Sequence, residues 1–221
     1  MRRIIDLTYP IEDHFRWKVE RELAAAFERG DQFQITRLGF ATHGFTHIDA
    51  PSHMLPDGPT TSDLRLGSLV GDAAIIDLSG IAANTAISAG TVAKAGGHVQ
   101  TGDIVIFKTS WDERFPLTSR NFWTEAPYLT REACEWLVLR EPAAVGFDFP
   151  QDQPIRDFVD GRKVPIAQFV SHDVILRSGR VLIEYLCNLG AVKSPRVEIC
   201  ALPLHIPKSD GAPARVIAIE R

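Results

Sequence analysis

Residues 42–53 read Thr-His-Gly-Phe-Thr-His-Ile-Asp-Ala-Pro-Ser-His, and this stretch restricts the backbone more than any other. His43, His47, Asp49 and His53 fall inside it, although the 221-residue chain has only 7 histidines. All four lie at odd positions, so a straight strand would aim them at one face. At about 3.3 Å per residue, however, that strand would hold His43 and Asp49 about 20 Å apart. A continuous helix pairs His43 with His47 at i, i+4 but leaves Asp49 off their face. Pro51 also disfavours helical geometry at Ala50. The segment must therefore bend if its polar side chains are to converge. Gly44 gives freedom for one bend and Pro51 stiffens the exit. The expectation is a strand ending near Ala41, then an irregular turn.

Imidazole and carboxylate together are the ligand set of zinc, manganese or non-haem iron. A histidine-rich surface loop is the plainer explanation for one such residue, but four at this density point to a metal centre. No His-Glu-x-x-His occurs, which removes the zincin arrangement. Cys134, Cys187 and Cys200 form no Cys-x-x-Cys, which argues against a thiolate zinc site.

Composition narrows the remaining classes. Hydrophobic residues make up 45% and charged residues 24%, as expected of a globular fold with a core. The net charge is −4 and no basic stripe appears, so nucleic acid is not an expected partner. No apolar run approaches the roughly 18 residues that span a bilayer, and no signal-peptide core is seen. Three unpaired cysteines fit a reducing cytoplasm. The length suits one domain or two small ones; with no linker or repeat, a single domain over 1–221 is expected.

Strands are expected at 4–7, 33–40, 73–78, 103–109, 143–149, 181–186, 197–204 and 215–219. An amphipathic helix is expected at 14–29, stopped by Gly30, with others near 88–97, from a Thr130 cap to Leu139, and at 167–177. Residues 111–129 read as a long binding loop. Loose alternation of helices and short apolar strands favours a mixed α/β fold.

Glu184 stands out within Val181-Leu-Ile-Glu-Tyr-Leu, because a carboxylate is costly to bury unless it is paired or bound to a metal. His172 lies in an otherwise apolar helical stretch. Alone, each has an ordinary explanation: a hydrogen-bonded core histidine and an edge-strand glutamate.

Taken together, Thr-His-x-x-Thr-His-x-Asp-x-Pro-x-His with a distant histidine and glutamate resembles the cyclase family, a group of metal hydrolases that includes bacterial-type kynurenine formamidases and isatin hydrolases. The resemblance extends through Asp6-Leu-Thr, Gly102-Asp-Ile-Val-Ile-Phe, Gly146-Phe-Asp-Phe-Pro, Leu182-Ile-Glu-Tyr-Leu and Asp210-Gly-Ala-Pro-Ala-Arg. It implies a swivelling β/β/α, mixed-sheet α/β fold. It also implies one or two divalent ions, zinc or manganese, held by His43, His47, Asp49, His172 and Glu184. His53 would then be the general acid/base, and Trp17 and Phe45 would meet the substrate. The implied activity is hydrolysis of an amide, cyclic amide or ester of a small molecule, like that of an arylformamidase, by water activated on the metal. A homodimer or homotetramer is also implied. A lactam hydrolase, a cyclase or dehydratase, and a non-catalytic metal-binding protein are the alternatives. The motif departs from the usual His-Thr-Gly-Thr-His: Phe45 stands where formamidases have glycine, which bears on the substrate. Asp148 and Asp152 are candidates to orient ligand imidazoles.

Overall fold

The computed structural model describes residues 2–220. Its centre is a mixed sheet that closes on itself. Seven strands form the ring in the spatial order β12 (Gly211–Glu220), β11 (Arg196–Pro203), β5 (Val70–Asp77), β7 (Ile104–Lys108), β9 (Ala144–Phe147), β10 (Val181–Glu184) and β4 (His47–Asp49), which pairs again with β12. β12 is long enough for two partners on one edge. Pro213 lies opposite His47 of β4, and Ile217 opposite Asp6 of β1 (Arg3–Asp6). The β5–β7–β9–β10 run is parallel and the other pairings are antiparallel.

The parallel strands are buried on both faces, which is why they read as unbroken apolar runs. In β7, Ile104 and Ile106 join the core inside the ring, while Val105 and Phe107 face an outer, aromatic-rich core. Gly146 of β9 is required by the crowding inside: a Cβ there would lie 2.6 Å from Ile106 Cδ1. Truncating Ile106 to alanine would cost about 2–5 kcal/mol.

The outer core is closed by short helices. α1 (Ala89–Ala95) is capped by Ser88 Oγ accepting from Thr91 N–H, and α4 (Arg131–Val138) by Thr130 Oγ1 accepting from Ala133 N–H at 3.3 Å. These satisfy N–H groups that the helix cannot. α2 (Trp111–Arg114) and α3 (Arg120–Thr124) occupy the segment expected to be a binding loop. Trp111 and Trp123 are fully buried, and their Nε1–H groups donate to Phe122 O and Leu117 O. The tryptophans of that stretch belong to the core. α5 (Ile155–Val159) was not expected, and the helical stretch 170–177 carries a π-helical turn over His172–Leu176.

The helix expected at 14–29 is absent. Residues 14–19 run irregularly, and β2 (Glu20–Ala25) pairs with β3 (Ile35–Gly39) in an exposed hairpin. The Leu-Ala-Ala-Ala-Phe run favours helix by local propensity, but pairing with residues 35–39 satisfies its backbone instead. Gly30 at φ 80 and Asp31 Oδ2, which accepts from Ala26 N–H at 2.7 Å, shape the connection. Among the described residues no helix is long and apolar enough to cross a membrane.

Candidate functional site

β4 resolves the geometric conflict in the histidine-rich segment by being only three residues long. Ile48 points into the ring, so His47 and Asp49 both leave its outer face. β10 runs antiparallel beside it and sets Glu184 opposite His47. The turn before β4 returns His43 to Asp49. The 3-10 turn Pro51–His53, started by a proline whose fixed φ suits that position, returns His53. The expected strand is β3, which ends at Gly39 and is followed by the irregular turn; the short strand β4 then lies between that turn and the bend after it. His172 arrives from the π-helical turn.

His47 Nε2 lies 3.1 Å from Asp49 Oδ1 and 4.0 Å from Glu184 Oε2. His172 Nε2 lies 3.5 Å from Asp49 Oδ2 and 3.6 Å from Glu184 Oε1. Each ring is oriented through its other nitrogen. His47 Nδ1–H donates to Phe45 O at 2.9 Å, and His172 Nδ1–H donates to Asp152 Oδ2 at 2.6 Å. Both acceptors hold the hydrogen on Nδ1, so that in the neutral ring the Nε2 lone pair faces the carboxylates. Gln151 donates to Glu184 Oε1. Asp148, the other candidate for orienting an imidazole, accepts from Thr109 and Ser110 N–H groups and belongs to the barrel wall.

Asp49 Oδ2 is buried and has no hydrogen-bond partner. An ionised oxygen without a donor is costly in such a place, and a cation there would satisfy it. Two groups of ligand atoms lie within 4.8 Å of one another: His47, Asp49 and Glu184, and His43, Asp49 and His53. Asp49 is common to both. This donor set fits a divalent ion of borderline softness.

The charges are tightly coupled. Burial opposes ionisation of Asp49, but the imidazoles of His47, His172 and His43 around it hold its carboxyl well below the usual range. Burial pushes the Glu184 carboxyl up. Burial also opposes charge on His172, yet Glu184 and Asp152 raise its pKa well above the ordinary value. His43 sits between two carboxylates, Nδ1 at 2.7 Å from Asp49 Oδ1 and Nε2 at 2.7 Å from Asp210 Oδ2. These bonds outweigh its burial and carry its pKa up to about 9. His53 stacks on His43 with ring centroids 3.9 Å apart, and desolvation lowers its pKa to about 4.

A cavity of about 500 Å³ opens beside the cluster. His43, His47, Asp49, His53, His172 and Glu184 form one wall, and Trp17 lies on the lining with Arg16, Tyr185, Phe158 and Phe169. Phe45, expected to meet substrate, does not line it. Its side chain is 1% exposed and packs behind Trp17 at 5.1 Å between ring centroids, while its carbonyl holds His47. Its φ of 61° lies in the left-handed region, which explains why glycine suits this position. Gln151, Asp210 and Arg16 were not singled out from sequence. Asp210 and Gln151 lie in or beside segments that carried the resemblance, and Arg16 gave no signal beyond lying next to Trp17.

The sequence pattern of the family described as "Putative cyclase" matches residues 5–152. A kynurenine formamidase of Salinibacter ruber is 30% identical over 81% of this chain and 77% of its own length. A kynurenine formamidase of Erythrobacter litoralis is 27% identical over 99% of this chain and 94% of its own. The fold matches that of isatin hydrolase A from Ralstonia solanacearum with a TM-score of 0.79, at 22% identity, covering 100% of this chain and 92% of that one. The chain belongs to the cyclase family.

Proposed function

We propose that this chain is a metal-dependent hydrolase acting on a carbon–nitrogen bond of a small-molecule amide or cyclic amide, or on a related ester. The partnerless Asp49 Oδ2, buried beside two oriented imidazole Nε2 atoms and Glu184, is the observation that carries this reading. Relatives that bear the name kynurenine formamidase over nearly the whole chain support it. His43, His47, Asp49, His172 and Glu184 would hold one or two ions, with zinc or manganese suited to these donors. Such an ion, when bound, would make water a much stronger acid and polarise a carbonyl.

The protein's own groups divide the remaining work. The Phe45 carbonyl and Asp152 fix the ligand imidazoles. Trp17 and the apolar lining exclude water from the reacting bond. His53, neutral at pH 7 because burial holds its pKa down, takes a proton from the attacking water. The imidazolium then returns that proton to the leaving nitrogen or oxygen, a role worth about 10²–10⁴ in rate. A homodimer or homotetramer and a cytoplasmic location belong to the same proposal.

Metal-loaded protein should be given an aryl formamide, a fused lactam and an aryl ester, with product mass as the readout. Gain of one water, abolished by chelation and restored by the ion, is expected. Loss of water from a substrate would instead indicate a dehydratase, and no turnover of any of them would contradict the reading.

A further inference from the structure

One cation on the cavity wall takes no part in that chemistry. The Arg16 guanidinium lies 4.0 Å from the Trp123 ring centre and 5.1 Å from that of Trp17. Its Nη1 is buried without a hydrogen-bond partner, and it forms no ion pair among the described residues. The Tyr185 hydroxyl is a hydrogen-bond partner of another part of the guanidinium, and Glu184 is the nearby negative charge. Burial lowers its pKa, the expected sign of a desolvated cation lacking a close anion.

Aromatic rings attract a guanidinium but accept no in-plane hydrogen bond, so they leave its N–H edge unsatisfied. If Glu184 holds a divalent ion, its negative charge is spent on that ion. Arg16 then faces the cavity with no counter-charge. A carboxylate would supply what is missing, because its two oxygens match the guanidinium fork. The cavity has the volume of a small-molecule site, and Trp17, Phe158 and Phe169 give it ring-sized apolar surface beside that fork.

We propose that Arg16 determines specificity by binding an anionic group of the substrate, so that the preferred substrates are ring-sized amides or esters bearing a carboxylate. This inference rests on the hydrolase reading above, and its test separates the two. Metal-loaded parent, Arg16→Gln and Arg16→Lys are compared on 3-formamidobenzoate and its uncharged match 3-formamidobenzamide. The parent should favour the carboxylate in kcat/KM. Arg16→Gln should reduce the anionic-to-neutral ratio by about 10–100-fold, the range for a hydrogen bond to a charged group. Arg16→Lys, which keeps the charge but not the fork, should retain part of that ratio and shows that the effect is not a loss of fold. A parent without the preference, or a ratio unchanged in Arg16→Gln, overturns the assignment. If the parent hydrolyses neither compound, the lactam and ester named above decide the hydrolase reading, and calorimetric binding of 3-formamidobenzoate judges Arg16. Binding weakened about 10–100-fold by Arg16→Gln upholds the anion site; equal binding, or none by the parent, overturns it.

Discussion

His172 donates its Nδ1 hydrogen to Asp152 Oδ2 at 2.6 Å, and the Asp152 carboxylate also accepts from the Ser171 backbone N–H at 2.8 Å and hydroxyl at 2.5 Å. One buried carboxylate thus fixes both the start of the π-helical turn and the direction of the imidazole that the turn presents. Asp152→Asn offers a weaker acceptor and loosens both. Metal affinity, read by competition with a coloured chelator, should fall about 10–100-fold, the usual cost of losing such a partner.

Unlike His43 and His172, whose pKa values are raised, His53 has its pKa lowered by burial, to about 4. His53→Ala should keep its metal and lose about 10²–10⁴ in turnover. Elemental analysis beside kcat checks this. Loss of metal in the variant would make His53 a ligand, through the group it forms with His43 and Asp49.

The His43 imidazolium gives metal-free protein a definite pH dependence. Its folded pKa of about 9 lies above the ordinary 6.5. The stabilisation it brings is therefore complete below pH 6.5 and is lost as pH rises to about 9. In chelator-treated protein, the gap in Tm between parent and His43→Ala should narrow across that window. A gap that widens with pH would contradict the ion-pair assignment.

Gly211 lies opposite Asp49 in the β12–β4 register, and a Cβ there would lie 2.5 Å from His43 Cε1 and 2.9 Å from each ring nitrogen. Gly211→Ala should therefore push the His43 ring off its carboxylates and reduce the number of ions bound per chain, with the far-ultraviolet circular dichroism unchanged. Metal stoichiometry measures the effect.

The cluster at 43–53 was legible in sequence because its ligand types are dense and its prolines and glycine mark the bends. The parallel strands were legible because burial on both faces leaves an apolar run, as in Ile104–Lys108. What failed were segments decided by distant partners. Residues 20–25 carry helix-favouring side chains, but their backbone pairs with residues 35–39, which no local window contains. Residues 111–129 read as a loop because prolines and mixed charge dominate the stretch, while Trp111 and Trp123, whose residue type favours the core, are indeed fully buried. Phe45 packs on Trp17 off the cavity lining, and the left-handed backbone it adopts is not encoded in any local pattern of residue types. Arg16 and Gln151 act through residues far along the chain and left no spacing to notice.

The central claim is that Asp49 joins the histidines and Glu184 around a divalent ion, and metal content tests it most directly. Parent and Asp49→Asn should be purified without added metal, reconstituted with zinc or manganese, desalted and analysed for both elements. The account predicts one or two ions per chain in the parent and loss of most of that metal in the variant. Parent protein that retains no metal after reconstitution, or a variant that retains as much as the parent, would contradict it.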